Sequence, residues 1–221
     1  MMIKALIFDL DGVITDTAEF HYLSWKRLAD EENLSFTRED NEKLRGVSRR
    51  QSLELILKGR QISEDTAQDW MARKNRYYQS YLETVTPADR LPGVTEFLTE
   101  ARELGLKLAI GSASRNAKTV LERLDLLDVF DVVGDGYAVV NTKPAPDLFV
   151  WVAGGLGIRV VEGVVFEDAE AGVDAALQAG FWAVGIGRSK VDHAHLHLPN
   201  LDGVKVSEVL AHLAELDSTH G

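Results

Sequence analysis

Two aspartates, two residues apart, stand at the end of the first apolar run of the chain. Asp9 and Asp11 follow Ala5–Phe8 and are followed by Gly12, a pattern typical of a buried strand that ends in a tight turn. Carboxylates at the end of a buried strand are costly to hold unless a positive group pairs with them. Because hard divalent cations prefer oxygen ligands, the pair predicts a metal-dependent site at the carboxyl end of a central strand.

Further polar residues of chemical interest also lie near apolar runs. Ser112 comes after one such run, Glu167 and Asp168 come after another, and Lys143 lies between them in the chain. Taken singly, the serine is typical of a helix cap, the lysine of a solvated surface residue and the acidic pair of a helix start. Their joint occurrence with Asp9, in this order along one predicted sheet edge, favours a single reactive site.

The elements that must position these residues alternate between strands and helices. The predicted strands are Ala5–Phe8, Leu106–Ile110, Val129–Val133, Gly163–Phe166 and Trp182–Ile186. Most segments between them show helical periodicity, and a final amphipathic helix is predicted near Val206–Leu216. Strands that are apolar throughout are typical of a parallel sheet covered on both faces. We therefore predict an α/β fold with a doubly wound parallel sheet and a site beyond the carboxyl ends of its strands.

One long segment interrupts this alternation. Residues 16–86 have a helical pattern throughout, contain no convincing strand and end at Thr86–Pro87. We predict that residues 16–86 form a small all-helical cap domain inserted after the first strand. Residues 1–15 and 87–221 would then form the α/β core domain that carries the reactive site.

Composition limits the classes of function. The chain has 221 residues, of which 45% are hydrophobic, and a net charge of −11. This acidic excess argues against nucleic acid as a partner, because it repels a phosphate backbone. No apolar run is long enough for a bilayer, no secretory signal is recognisable, and the absence of cysteine excludes disulfides and thiolate metal sites. The default expectation is a monomeric cytoplasmic protein with a small-molecule substrate and no membrane partner.

Together these features resemble the four motifs of the haloacid dehalogenase superfamily, and the resemblance covers essentially the whole chain. It implies that Asp9 is a nucleophile that takes up a phosphoryl group and that Asp11 is a general acid and base. It further implies that the transferring phosphoryl group is held by Lys143, the Ser112 hydroxyl and the amides of Ala113 and Ser114. Dehalogenase chemistry is disfavoured, since it has no use for the Asp11 acid/base or for a metal.

The resemblance also implies Mg²⁺ as the metal ion. Its ligands would be Asp9, the backbone carbonyl of Asp11 and Asp168, with Glu167 as a further ligand or close beside them. Lys143 would neutralise the transferring phosphoryl group and hold Asp9 near it.

Residues of the predicted cap narrow the type of reaction. Thr17, His21 and Trp25 recur every four residues and share one helix face. Core packing is as plausible as substrate contact for Trp25, and a role near Asp11 is favoured for His21 over a partly exposed helix position. The segment Gly46–Arg49 combines a glycine loop with a serine and an arginine at a helix start, which suits an anion, although an ordinary turn has the same composition.

With Arg73–Asn75, these segments resemble the β-phosphoglucomutase family in particular. The resemblance implies that Arg49 grips the phosphate that is not being transferred and that His21 couples cap closure to the acid/base aspartate. Lys74 and the glycine loop would contact the sugar, and Asn116 would add a contact to the distal phosphate. The full substrate-binding set implied is Thr17, His21, Trp25, Gly46, Val47, Ser48, Arg49, Ser52, Lys74, Ser112, Ala113, Ser114 and Asn116.

The activity that this resemblance implies is that of a phosphomutase. It would interconvert β-D-glucose 1-phosphate and D-glucose 6-phosphate through an aspartyl-phosphate enzyme, with β-glucose 1,6-bisphosphate as intermediate and activator. A mutase of this kind needs two phosphate sites, whereas a phosphatase needs one. The alternatives are a sugar-phosphate or phosphoglycolate phosphatase of the same superfamily and, from another class, a non-catalytic binding protein on this scaffold.

Alternate histidines near the C-terminal end, His193, His195 and His197, could share one face of a strand. No cysteine or closely spaced carboxylate completes a ligand set, although Asp192 is adjacent. We therefore expect a solvated loop here rather than a metal site.

Overall fold

The computed structural model describes residues 2–44, 46–187 and 191–220 and contains a parallel sheet. Its strands are β1 Ala5–Phe8, β2 Lys107–Gly111, β3 Val132–Gly134, β4 Gly163–Glu167, β5 Trp182–Ile186 and β6 Leu196–Leu198. They lie in the order β3-β2-β1-β4-β5-β6, and each neighbouring pair is parallel. The doubly wound α/β fold predicted from the sequence is confirmed.

Helices lie between the strands in the sequence, and the longest helical segment separates β1 from β2. They are α1 Ala18–Glu31, α2 Arg38–Glu42, α3 Arg49–Leu57, α4 Glu64–Leu82, α5 Val94–Glu103, α6 Ala117–Arg123, α7 Asp147–Leu156, α8 Glu170–Ala179 and α9 Val206–His220. Short 3-10 turns cover Pro87–Asp89, Leu127–Val129 and Val160–Glu162. None of the helices in the described ranges combines the length and apolar character that a membrane span needs.

Strand β1 lies at the centre of the sheet and is buried on both faces. Leu6 and Phe8 belong to the core on one face, while Ala5 and Ile7 belong to the core on the other. The ring of Phe8 stacks on that of Phe166 with 4.9 Å between centroids. Since side chains of a strand alternate between faces, an apolar run without polar interruptions is required here.

The third strand begins later than the sequence predicted. Residues 127–129 form a 3-10 turn, and the strand covers Val132–Gly134 rather than Val129–Val133. The apolar character of the earlier residues has another cause, because Phe130 packs into the core with its ring 6.3 Å from that of Phe8. An apolar run alone does not separate a strand from the turn that leads into it.

A sixth strand lies where the sequence predicted a solvated loop, so that prediction was wrong. Leu196–Leu198 pairs in parallel with β5 at the edge of the sheet. Only three residues long and half exposed, it lacks the apolar run that identifies a central strand. The histidines have separate partners: His193 contacts Asp174, His195 accepts from the backbone of Ala183, and His197 bonds the carbonyl of Gly187.

Helices α1 to α4, called the helical layer below, pack around a core of their own. Its largest buried members include Trp25, Leu28, Leu53 and Trp70. The end of α4 turns toward the sheet, where Tyr78 is fully buried in the main core. The helical layer therefore has its own apolar interior and a firm attachment to the sheet through α4.

Candidate active site

The carboxyl ends of β1, β2 and β4 meet at one edge of the sheet. Asp9 follows β1, Ser112 follows β2, Glu167 ends β4, and Asp168 is the next residue. The backbone N–H of Asp9 donates to the carbonyl oxygen of Phe166 at 2.9 Å, which continues the β1–β4 ladder beyond the strand. The parallel register thus brings together polar residues that are far apart in the sequence.

Lys143 is fully buried between two carboxylates. Its Nζ donates to Asp9 Oδ1 at 2.6 Å and to Glu167 Oε2 at 2.7 Å. Burial lowers the pKa of Lys143, but the charges of Asp9 and Glu167 outweigh burial and hold that pKa above its ordinary value. Burial, followed by the charge of Asp9, raises the pKa of Glu167. The ammonium therefore fixes the Asp9 carboxylate in place.

Asp9, Glu167 and Asp168 form a buried set of oxygens suited to a divalent cation. One oxygen from each carboxylate lies within 4.8 Å of the others. The ammonium of Lys143 contacts two of these carboxylates, those of Asp9 and Glu167. A Cβ at Gly12 would lie 2.1 Å from Asp168 Oδ2, so only glycine lets this carboxylate approach the turn. Hard carboxylate oxygens at this spacing fit Mg²⁺.

A chain of hydroxyl groups holds Asp11. Thr17 Oγ1 donates to Asp11 Oδ1, and the hydroxyl of Tyr78 lies 2.8 Å from Thr17 Oγ1. Since the one hydroxyl hydrogen of Thr17 goes to the carboxylate, Tyr78 is the donor in the second bond. Burial raises the pKa of Asp11 to about 6, against the lowering effect of the Thr17 bond. A carboxyl group with this pKa exchanges protons near neutral pH, as an acid/base catalyst must.

His21 links Asp11 to a buried lysine. His21 Nε2 lies 3.9 Å from Asp11 Oδ2, and His21 Nδ1 lies 2.8 Å from Lys74 Nζ. With Lys74 charged, Nδ1 accepts from its ammonium group and the imidazole proton is on Nε2, facing Asp11. Burial and then the charge of Lys74 lower the pKa of His21 well below its usual range. Burial and then the charge of Arg49 likewise lower the pKa of Lys74.

Arg49, the first residue of α3, faces the same cleft. Its Nη2 donates to Asn75 Oδ1 at 2.8 Å, and within the described ranges no carboxylate pairs with it. Burial and then the positive charge of Arg115 lower the pKa of Arg49. The Arg115 guanidinium lies 4.8 Å from the ring centroid of Tyr137. Two neighbouring cations for which the described residues offer no carboxylate partner are suited to an anionic ligand.

The loop before Arg49 closes against the sheet edge. Gly46 has φ +71°, and a Cβ there would lie 3.0 Å from the Cβ of Ala169. Ser48 caps α3 in a reciprocal pair with Gln51. Gln51 Oε1 also accepts from Thr142 Oγ1 at 3.0 Å, across the cleft. Direct contacts therefore join the helical layer to the loops at the carboxyl edge.

A cavity of about 690 Å³ lies between the helical layer and the sheet edge. The sequence-predicted residues that line it are Asp9, Asp11, His21, Trp25, Gly46, Val47, Ser48, Arg49, Ser52, Lys74, Ser112, Ala113, Ser114 and Asp168. Ser112 Oγ accepts from the backbone N–H of Ser114 at 3.1 Å, so this loop turns tightly around the hydroxyl. Trp25 reaches the cavity but is only 2% exposed and packs in the core of the helical layer.

The remaining sequence-predicted site residues lie behind the cavity wall: Thr17, Asn116, Lys143 and Glu167. Thr17 bonds the carboxylate of Asp11, and Lys143 bonds those of Asp9 and Glu167, as given above. Asn116 Nδ2 donates to Asn75 Oδ1 at 2.9 Å. Each of the four acts on the cavity through a neighbouring residue.

Sequence reasoning missed several residues of the site. Arg115, Tyr137 and Thr142 line the cavity, Asn75 bonds Arg49, which also lines it, and Tyr78 bonds Thr17 behind its wall. Tyr78 was detectable, because it lies four residues after Lys74 and therefore on the same face of α4. The loop residue Tyr137 gives no such signal, since no periodicity relates it to the site.

Known proteins resemble the chain over most of its length. The haloacid dehalogenase-like hydrolase family matches residues 3–180. The β-phosphoglucomutase of Bacillus subtilis (strain 168) is 43% identical over 191 residues, which cover 85% of this chain and 84% of that protein. A phosphorylated carbohydrates phosphatase of Thermotoga maritima is 32% identical over 221 residues, which cover 96% and 99%. The crystal structure of β-phosphoglucomutase from Clostridium difficile has a TM-score of 0.95 at 36% identity and covers 98% of this chain and 100% of that chain.

Proposed function

The chain belongs to the haloacid dehalogenase-like hydrolase family, and we propose that it is a phosphomutase acting on β-D-glucose 1-phosphate and D-glucose 6-phosphate. Relatives from B. subtilis and C. difficile carry the name β-phosphoglucomutase, which supports this activity. The reaction would pass through an aspartyl-phosphate enzyme and β-glucose 1,6-bisphosphate. A cytoplasmic location and a monomeric state stay predictions.

The proposed chemical step is transfer of a phosphoryl group to Asp9. A carboxylate oxygen of Asp9 forms a bond to phosphorus while the bond from phosphorus to the sugar oxygen breaks, and Asp11 gives its proton to that oxygen. The second transfer reverses these roles: Asp11 takes the proton of the attacking hydroxyl, and the acyl phosphate of Asp9 breaks. Lys143 holds the Asp9 carboxylate, and the Ser112–Ser114 loop offers its hydroxyl and amide donors to the phosphoryl oxygens.

Membership of this family implies a metal-dependent mechanism. Asp9, Glu167 and Asp168 would hold Mg²⁺, and the backbone carbonyl of Asp11 is proposed as a further ligand. When bound, the ion supplies positive charge that stabilises the transferring phosphoryl group. Glu167 also accepts from Lys143, so it would orient the lysine and the ion together.

The observation that carries the proposal of a mutase is Arg49, a cation that faces the cavity with no carboxylate partner in the described residues. A phosphatase needs one phosphate site, at Asp9. A mutase with a bisphosphate intermediate needs a second anion site for the phosphate that is not being transferred. Arg49, with Arg115 beside it, offers that site on the wall of the cavity.

The helical layer would act as the cap over this reaction. Lys74, His21 and the Gly46–Ser48 loop line the cavity where the sugar would bind. With His21 neutral and its Nε2 proton directed at Asp11, cap closure would place a hydrogen-bond donor beside the acid/base carboxylate. Closure also excludes water, which would otherwise hydrolyse the acyl phosphate.

The test follows both products from one substrate. Purified protein with Mg²⁺, β-glucose 1-phosphate and a trace of β-glucose 1,6-bisphosphate is monitored by phosphorus NMR. Glucose 6-phosphate should accumulate with little free phosphate. Stoichiometric free phosphate without glucose 6-phosphate would instead identify a sugar-phosphate phosphatase, the activity named for the T. maritima relative.

A matched pair of arginine variants tests the second site. Arg49→Ala should lower mutase turnover roughly tenfold to a hundredfold, because it removes charge-assisted hydrogen bonds to the distal phosphate. It should leave hydrolysis of p-nitrophenyl phosphate, which needs only the first site, nearly unchanged. Arg76→Ala, at an exposed position on α4, is the control. Equal losses on both substrates would show that Arg49 has a structural role instead.

A further inference from the structure

A carboxamide oxygen lies where the helical layer meets the loop at the sheet edge. Asn75, on α4, accepts at Oδ1 from Arg49 Nη2 at 2.8 Å and from Asn116 Nδ2 at 2.9 Å. Arg49 belongs to the helical layer, whereas Asn116 follows β2 and immediately precedes α6. The backbone N–H of Asn116 donates to Ser114 Oγ at 3.2 Å, so the same connection continues into the phosphoryl-binding loop.

The orientation of both amides follows from the chemistry of the donors. A guanidinium has no acceptor, so the atom of Asn75 that faces Arg49 is its oxygen. The atom of Asn116 that faces this oxygen is then its NH₂ nitrogen. Each donor group keeps further hydrogens, since a guanidinium carries five N–H groups and a carboxamide two. Asn75 therefore fixes both groups and leaves N–H hydrogens available to a ligand.

The neutrality of Asn75 is as important as its geometry. Arg49 has no carboxylate partner in the described part of the chain, and the charge of Arg115 acts on it. A carboxylate at position 75 would accept the same two bonds but would neutralise Arg49 and repel a phosphate dianion. An amide orients the guanidinium of Arg49, and the positive charge of Arg49 stays available to a phosphate.

We propose that Asn75 is a positioning residue that assembles the distal phosphate subsite when the helical layer closes on the sheet edge. It holds Arg49 from the helical layer and Asn116 from the sheet side at one oxygen atom. The subsite would be complete only in the closed arrangement, so phosphate binding favours closure. The inference rests on the proposed function, because it assigns Arg49 and Asn116 to the phosphate that is not transferred.

The test measures binding apart from turnover. β-Glucose 1,6-bisphosphate is titrated calorimetrically into Asp9→Asn protein with Mg²⁺, alone and combined with Asn75→Ala, Asn75→Asp or Gln79→Ala. Gln79 is an exposed amide residue one turn further along α4 and serves as the control. Asn75→Ala should raise Kd about tenfold, the effect of losing one orienting hydrogen bond to a charged group. Asn75→Asp should raise Kd further, although it keeps both bonds, and Gln79→Ala should leave Kd unchanged.

A purely structural role predicts the opposite order. If Asn75 only joined the two parts of the molecule, the aspartate variant would bind better than the alanine variant, and that result would overturn the proposal. Unchanged Kd in Asn75→Ala would do the same. In protein that keeps Asp9, Gln79→Ala should leave hydrolysis of p-nitrophenyl phosphate unchanged, and Asn75→Ala should lower it by a smaller factor than it lowers the affinity for the bisphosphate. An equal or larger loss of hydrolysis in Asn75→Ala would refute action at the distal subsite. Failure of the proposed function is separate, since it appears in the wild-type product assay and not in these affinities.

Discussion

Replacing Lys143 with methionine should destabilise the metal-free protein strongly. The aliphatic part of the side chain keeps its place, while the ammonium that contacts Asp9 and Glu167 disappears. Lys143 and Glu167 are fully buried and Asp9 nearly so, so water does not replace the lost contacts. Asp9 and Glu167 would then lie side by side, with Asp168 near them, and both would have lost the ammonium contact.

The size of the effect follows from these contacts. Hydrogen bonds to charged groups contribute about 1.5–3 kcal/mol each, and removal of one partner from a buried ion pair costs about 3–5 kcal/mol. Lys143 makes two such bonds, so both figures place the loss near 3–5 kcal/mol. For a chain of this length, that corresponds to a fall in Tm of about 6–20 °C.

The pH dependence has a definite sign. The pKa of Glu167 is raised by burial and by Asp9, and Lys143 lowers it, so loss of the lysine raises this pKa further. A carboxyl group whose folded-state pKa is raised stabilises the folded protein below its unfolded pKa, and this stability is lost as pH rises through the folded pKa. Lys143→Met should therefore be closest to wild type near pH 5 and furthest from it near pH 8.

The assay is thermal unfolding in EDTA between pH 5 and pH 8, repeated with excess Mg²⁺. Magnesium should restore part of the lost stability, because a bound cation takes the place of the ammonium charge. Lys118→Met, at an exposed position on α6, is the control and should change stability by less than about 0.5 kcal/mol. A Lys143→Met protein with wild-type Tm in EDTA at pH 8 would refute the proposed charge balance.

Two further substitutions test the attachment of the helical layer. Gly46→Ala should weaken binding of β-glucose 1,6-bisphosphate by about 1–2 kcal/mol, because φ is +71° and the new Cβ would meet Ala169 at 3.0 Å. Calorimetry measures this, and unchanged affinity would show that the loop closes without strain. Tyr78→Phe should lower the free energy of unfolding in urea by about 0.5–1.5 kcal/mol, because it removes the hydroxyl that donates to Thr17. Wild-type stability would mean that this bond has no net effect.

The sheet and the carboxylates at its edge were accessible from the sequence for a physical reason. A central parallel strand is buried on both faces, so its apolar run stands out, and the polar residue that follows it must lie at the carboxyl edge. This argument applies to Asp9 after β1 and to Glu167 at the end of β4, which the structure brings onto Lys143. The same argument does not identify edge strand β6, because three half-exposed residues have no distinctive pattern.

Contacts between the helical layer and the sheet were beyond sequence reasoning. Asn75 bonds Asn116, and Gln51 bonds Thr142, across 41 and 91 residues. Such pairs depend on how two separately packed layers meet, which local periodicity does not determine. A neutral amide also carries no charge pattern that would reveal its partner.

The placement of charge gives the two ends of the cavity different requirements. At the sheet edge, Lys143 contacts Asp9 and Glu167, and Asp168 lies near them, so in the proposed mechanism a bound divalent cation would help that end to attract an anion. At the other end of the cavity, no carboxylate among the described residues pairs with Arg49, so this end attracts an anion without a metal. A sugar bisphosphate satisfies both ends at once, and it does so in either orientation because each end recognises only a phosphate. A single-phosphate substrate that leaves as free sugar makes no use of the second end, and this is the physical reason to prefer a mutase to a phosphatase for this chain.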